Sequence, residues 1–413
     1  MFNLKYKICL SMFAVAMLIA VVTLNSYKIT PTDTKSVAVN KVAETTTVTT
    51  TKTVSNRNKK DYEIIKGLWV TYMELDMSDT DRSYSAFKNK FDTIVSDAIK
   101  CGFNALIVQV RPFSDALYYS KYYPHSHILS GTQGKDPEYD ALNYMCQKCH
   151  ENGLQIHAWV NPFRISTNNT PSKLSEDNPY EKDESIGVKT DTGIYINPAI
   201  KKARELIENG VKEIVENYDV DGIQFDDYFY PTKDKSFDSE EYNSYLKAQN
   251  GDAMKLSQWR KDNVNKLVKD TYKAVHSSKD NVLFGISPQG NIKNNDEIYA
   301  DVKTWCSQKG YIDYICPQIY YSLDNPALAY EDAIDSWKKI KKNHDLVMYS
   351  GLAGYKAGTD NDEGTWEDFD DILQKEYKIA INKKYNGIML YSYNSLKESC
   401  AKKEIKNLVK ELN

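Results

Sequence analysis

The chain has 413 residues, with 53 Lys and Arg against 57 Asp and Glu and a formal net charge of −4. Such a balance supplies no broad basic field, which excludes the usual electrostatic basis of nucleic-acid binding. Apolar residues make up 41% and tyrosine occurs 31 times, so the chain has material for a large core.

Lys5 and Lys7 precede an apolar run over 8–24 that only Ser11 and Thr23 interrupt. A basic flank before such a run marks a signal peptide or a signal anchor, with the rest of the chain sent outside the membrane. No small-x-small cleavage pattern and no lipoprotein-like cysteine follows, so both readings of residues 1–27 stand. If the segment is retained, it ties the protein to the membrane. Residues 28–62 are rich in Thr, Val, Ser and Lys, and 45–53 is nearly all Thr. Without large apolar side chains this stretch reads as a disordered linker. The expected catalytic domain is 63–413. Seven cysteines without regular spacing predict buried free thiols rather than a disulfide framework.

From residue 67 the chain alternates short β-branched or aromatic runs with longer amphipathic stretches. The runs fall at 67–75, 104–112, 155–163, 222–231, 283–290, 312–320, 346–355 and 387–396. Helical patterns occupy 84–100, 142–152, 199–218, 257–276, 329–342 and 366–384. Apolar strands separated by helices imply a parallel sheet with helices outside, and eight such units fit an α/β fold of the closed (β/α)8 TIM-barrel type. A doubly wound open sheet would want a Gly-rich phosphate turn after the first strand, and "VTYMELD" has none. In a barrel, functional groups gather at the C-terminal strand ends. Here those ends read "YMELD", "VQVRPFSD", "AWVNPFR", "QFDDYFYP", "ISPQGN", "CPQIYYS", "SGLAGY" and "LYSYNS".

The densest chemistry among them is Asp226-Asp227-Tyr228. Two adjacent carboxylates ending a buried strand are costly unless used or paired. Their repulsion raises one pKa, leaving an acid beside an ion, which is what glycoside cleavage requires. A helix cap with an Arg partner is the structural alternative. Arg111, His157, Asn161, Gln318, Tyr320 and Tyr393 also fall at strand ends and are candidates to bind a sugar. Trp159 and Tyr228 are candidates to stack on its rings.

These stretches carry a resemblance. "GLWVTYMELD", "VRPFSDALYYSKYYPHSHILSGTQGKDPEYDAL", "HENGLQIHAWVNPFRI", "NYDVDGIQFDDYFYP", "YICPQIYY" and "GIMLYSYNSL" resemble the glycosyl hydrolase-like ten family, formerly a domain of unknown function. The resemblance implies a (β/α)8 barrel that cleaves glycosidic bonds in cell-wall glycan, with a polysaccharide as partner. Ser114 stands where the family usually has Gly, and "SPQGN" where it has "SPFG". On this reading Asp226 orients a 2-acetamido group and Asp227 protonates the leaving oxygen. A carboxylate from another strand is the rival, and the resemblance favours Asp115 over Glu74. A catalytically silent glycan-binding barrel is the second reading.

No cofactor and no metal is expected. Cys146-x-x-Cys149-His150 matches a haem-attachment pattern, but it lies inside a helical stretch as a single copy. His125 and His127 lack neighbouring ligands, and "TDNDEGTWED" lacks EF-hand spacing.

Overall fold

The computed structural model describes residues 64–367 and 369–413. The expected export segment and linker lie outside the described residues. The remainder folds as the sequence predicts in outline, around one parallel barrel.

The barrel strands are β1 (Ile65–Val70), β2 (Ala105–Arg111), β3 (Gln155–Val160), β7 (Gly222–Phe225), β8 (Leu283–Ile286), β9 (Tyr314–Ile315), β10 (Val347–Met348), β11 (Ser350–Ala353) and β12 (Gly387–Tyr391). A second, three-stranded antiparallel sheet holds β4 (Arg164–Thr167), β5 (Gly187–Thr190) and β6 (Gly193–Ile196). In the barrel every pairing is parallel, in the order β10-β9-β8-β7-β3-β2-β1-β12-β11. Only Tyr349 separates β10 from β11, so the nine segments fill eight strand positions. That strand pairs with β9 at its start and β12 at its end, and the Tyr349 and Gly351 N–H groups donate to the Ile315 and Pro317 carbonyls, both at 2.9 Å. These bonds close the barrel. β9 is short because Pro317 brings no N–H to the ladder.

The surrounding helices are Tyr84–Lys100, Ala141–Glu151, Lys201–Asn217, Leu256–Ser278, Val302–Ser307, Tyr330–Ile340, Ile372–Asn382 and Lys402–Leu412. The first shows why such segments form. Ser83 Oγ accepts from the Ala86 N–H at 3.2 Å, and Phe87, Phe91, Ile94, Val95 and Ala98 recur on one face and are buried. Each such Phe contributes about 1.5–3 kcal/mol by leaving water. Of the surrounding helices, Val302–Ser307 and Lys402–Leu412 were not anticipated, nor was the further helix Ser239–Ala248 after β7. The expected helix at 366 instead begins at Ile372, where Glu404 accepts from the Ile372 and Leu373 N–H groups at 2.9 Å. The antiparallel sheet after β3 was also not anticipated.

The apolar core divides in two. A large shell lies between strands and helices, and a smaller cluster including Trp69, Ile107, Trp159, Tyr314, Tyr349 and Met389 fills the barrel. Strand alternation separates the two sets. Two interior glycines make room for large rings. A Cβ on Gly222 would sit 2.4 Å from His157 Nδ1, and one on Gly285 2.2 Å from the Tyr314 ring.

Of the six cysteines among the described residues, Cys146, Cys149, Cys306 and Cys316 are buried free thiols; Cys101 is half-buried and Cys400 exposed. His150 is committed to Asp219 at 3.3 Å and Asp221 at 2.9 Å.

Candidate active site

Inward-facing residues climb each strand in steps of two and arrive at the mouth as polar groups. On β3 the column is His157, Trp159, Asn161, and on β7 it is Gly222, Gln224, Asp226. Gln224 is wholly enclosed, accepting from Trp69 Nε1 at 2.7 Å and donating to the Tyr314 hydroxyl at 3.2 Å. Asp226, one step higher, is the first carboxylate of the column.

Three N–H groups converge on Asp226. Trp159 Nε1 donates to Oδ2 at 3.0 Å, Asn161 Nδ2 donates to the same oxygen, and the Tyr228 N–H donates to Oδ1 at 3.2 Å. Asn161 is itself oriented: its Oδ1 accepts from Gln109 Nε2 at 2.5 Å, while Gln109 Oε1 accepts from the Tyr72 N–H at 3.1 Å. The relay leaves Asn161 no choice but to aim its amide N–H groups at the acid. Asp227 follows where the chain turns out of the strand, so both carboxyls of this adjacent pair serve the same mouth. Gln318 Nε2 donates to its Oδ1 at 3.1 Å and to the Ser287 carbonyl at 3.0 Å, and Gln289 adds a further hydrogen bond.

Burial is the main influence on the pair's acidity. It raises Asp226 to about 7, with the neighbouring Asp227 charge adding to the rise and Arg164 opposing it. It raises Asp227 as well, against the hydrogen bonds from the two glutamines. Two carboxyls this close titrate as a unit, and the raised pKa of Asp226 lets the pair keep one proton as pH rises toward 7. Asp226 is 3% exposed and saturated with N–H donors, whereas Asp227 is half-buried. The shared proton is therefore accessible to a bound molecule from Asp227.

Aromatic rings surround the acids. Tyr320, Tyr355 and Tyr391 have centroids 5.8–5.9 Å apart, and Tyr391 also meets Trp159 at 6.5 Å and Trp69 at 6.0 Å. On the other flank Tyr228, which is 52% exposed, lies beside the Arg164 guanidinium. Flat rings with polar tips suit the apolar faces and hydroxyl edges of sugars.

Asp226, Asp227, Asn161, Trp159, Tyr228, Gln318 and Tyr320 thus come together. Arg111, His157 and Tyr393 do not, and the expectation that they bind substrate is corrected. The β2–β3 register shifts between Gln109 and Arg111, and Arg111 turns outward to lie 4.5 Å over the Tyr123 ring. His157 is inside the barrel, bonded to the Tyr314 hydroxyl at 3.0 Å. Tyr393 begins a 3-10 turn and donates to Asp97 on helix Tyr84–Lys100 at 2.9 Å. Asp115 is enclosed in the loop after β2, where His127 Nδ1 and Gln133 Nε2 each approach its Oδ2 at 3.1 Å. Glu74 accepts from the Thr71 N–H, the Ser392 hydroxyl and the Asn394 N–H at 2.5, 2.7 and 2.6 Å, pinning the loops after β1 and β12 together.

Gln109, Arg164, Gln289, Tyr355 and Tyr391 belong to the site and were missed. Stepping by two from interior Ile107 and Met389 would have reached Gln109 and Tyr391. Arg164 carried no such signal, because the sheet that presents it was not foreseen. Among the described residues no group of three or more His, Cys, Asp or Glu side chains is arranged to hold a metal ion. His125 and His127 turn to different acids, Asp136 at 3.9 Å and Asp115.

Comparison with known proteins bears on the family and the fold. The sequence profile of the glycosyl hydrolase-like 10 family matches residues 64–368. Glycosyl hydrolase YngK of Bacillus subtilis (strain 168) is 36% identical over 357 residues, covering 81% of this chain and 68% of that protein. Glycosyl hydrolase DigH of Escherichia coli (strain K12) is 33% identical over 285 residues, covering 63% of this chain and 64% of that protein, slightly less than two thirds of its length. Among solved structures, the glycoside hydrolase domain of PgaB (BpsB) from Bordetella bronchiseptica superposes with a TM-score of 0.56 at 11% identity, over 84% of this chain and 99% of that one. That likeness speaks for the fold. A profile match across most of the chain, and a relative above 30% identity over most of its length, place this chain in the glycosyl hydrolase-like 10 family.

Proposed function

We propose that this protein is an exported glycosidase that cuts the glycan strands of peptidoglycan or a related N-acetylated polysaccharide. The observation that carries the reading is the Asp226/Asp227 pair at the C-terminal mouth of the barrel, both carboxyls raised in pKa by burial and ringed by tyrosines. Asp227 faces the cleft and protonates the leaving oxygen. With the shared proton on Asp227, Asp226 is the charged member of the pair, its carboxylate stabilised by three N–H donors, and it orients the 2-acetamido group or stabilises the oxocarbenium-like centre. Family membership and the Lys5/Lys7 flank with its apolar run support a glycosidase acting outside the membrane.

Soluble protein beginning near Asn56, incubated with purified peptidoglycan with and without its stem peptides, is expected to release fragments whose masses show a cut glycosidic bond. Binding without any cleaved product would favour the silent carbohydrate-binding barrel instead. A reporter joined after Asn56 is expected to be active only outside the membrane, and cytoplasmic activity would remove the export part of the reading.

A further inference from the structure

Arg164 sits among the loops that crown the barrel, yet the acid–base chemistry above does not need it. It is the first residue of β4, three residues after Asn161, and is half-buried. Its Nε donates to the Pro112 carbonyl at 2.8 Å, which fixes the guanidinium plane. The guanidinium carbon lies 4.7 Å from the Phe113 ring, 5.1 Å from the Tyr228 ring and 6.0 Å from the Tyr72 ring. Those rings belong to the loops after β2, β7 and β1, so the cation stands in a slot walled from three sides. Its charge reaches both acids and lowers their pKa values. It nonetheless forms no ion pair within 4 Å of any carboxylate among the described residues, and its two terminal NH2 groups have no acceptor there.

This arrangement withholds a strong cation from the acids. A direct Arg–carboxylate contact would hold that acid ionised and remove the proton that cleavage uses. What remains is a planar fork of donors, partly desolvated and held by rings. Such a fork matches a carboxylate in two parallel hydrogen bonds. We propose that Arg164 is a subsite for a carboxylate carried by a sugar beside the scissile bond. The proposal rests on the glycan-cleaving reading. Two kinds of sugar supply this chemistry: one bearing an ether-linked lactyl carboxylate, and a uronic acid with its carboxylate at C6.

The test is calorimetric binding to full-length protein in an Asp227→Asn background, with Arg164 retained or replaced by Gln or Lys. The probes are a peptide-free wall-glycan oligosaccharide, the same oligosaccharide with its carboxyl groups reduced to alcohols, and a hexuronate-containing oligosaccharide of equal length. Arg164→Gln is expected to lower the preference for a carboxylated over the reduced probe about tenfold or more, the scale of a charged hydrogen-bonded pair. Arg164→Lys, which keeps the charge without the fork, is expected to fall between. The carboxylated probe whose preference is lost identifies the sugar. Equal weakening toward carboxylated and reduced probes overturns the proposal, as does a protein with Arg164 intact that shows no preference. Turnover with Asp227 restored is a separate readout. If every probe is left uncut, the glycosidase reading fails while the binding ratio still decides the role of Arg164.

Discussion

Asp226 and Asp227 are neighbours in the chain but differ in their surroundings. The first is enclosed and receives three N–H groups, and the second is half open and held by glutamine side chains. That difference separates their duties. Asp227→Asn keeps the shape and removes the proton, so the rate on natural glycan is expected to fall roughly a hundredfold or more. A substrate whose leaving group needs no proton should lose far less. Asp226→Asn should slow both substrates, since charge and orientation matter for either. Glu74→Gln provides the contrast. It weakens two hydrogen bonds that join the loops after β1 and β12 and a third within the first of them, and it is expected to cost about 1–3 kcal/mol of stability while the chemistry continues. Near-full activity in Asp227→Asn, with loss in Glu74→Gln or Asp115→Asn, would move the acid to the loops after β1 or β2. Gln289 adds a hydrogen bond to Asp227, so the "SPQGN" stretch reaches the acid itself.

Strands explain both what the sequence revealed and what it concealed. Apolar runs separated by amphipathic stretches were enough to predict the barrel, because each strand is buried on both faces. The acid pair was legible because two carboxylates end the "GIQF" strand. Side-chain direction was harder to read. Arg111 follows Gln109 by two and should face inward, but a register shift on β2 turns it out. Tyr393 follows Tyr391 by two, but a 3-10 turn begins there. His157 does face inward, two steps too deep to meet a substrate. The glycines of β7 and β8 were equally silent in the sequence, since the reason for each is a ring on another strand. Gly222→Ala tests this. The added carbon would meet His157 Nδ1 at 2.4 Å with the ring enclosed by β3 and Tyr314. The expected loss is about 1–3 kcal/mol, read from denaturant midpoints. Gly153→Ala meets nothing within 4 Å, although its φ of +73° adds backbone strain. A Gly222→Ala protein as stable as the parent would mean that the interior ring is free to move.

Across the whole molecule, two enclosed titratable groups impose opposite pH dependences on folding. Burial lowers His157 from 6.5 to about 4, so the unfolded chain takes up that proton first. The stability contributed by its neutral ring is complete above about 6.5 and is lost as pH falls toward 4. Asp226 runs the other way. Its pKa is raised from 3.8 to about 7 by burial and by Asp227, so the folded state holds the proton more tightly. Its contribution is complete below about 3.8 and is lost as pH rises through 7. Glu376, raised by burial, and His150, raised to about 9 by Asp219 and Asp221, act in the same direction as Asp226, so the parent protein's stability should fall as pH rises toward 9, with His157 opposing that fall below about 6.5. Removing either group should expose the other. His157→Gln retains a partner for the Tyr314 hydroxyl, and its melting temperature should decline with pH more steeply than the parent's. Asp226→Asn deletes the buried charge, and its advantage over the parent should grow from pH 4 to pH 8, on the order of a few degrees for a domain of this size. The quantity to compare is the slope against pH, since each substitution also changes packing at every pH. Parallel melting curves for all three proteins would mean that neither group is held away from its ordinary ionisation in the fold. The shared proton assigned to the acid pair would then lose its physical basis.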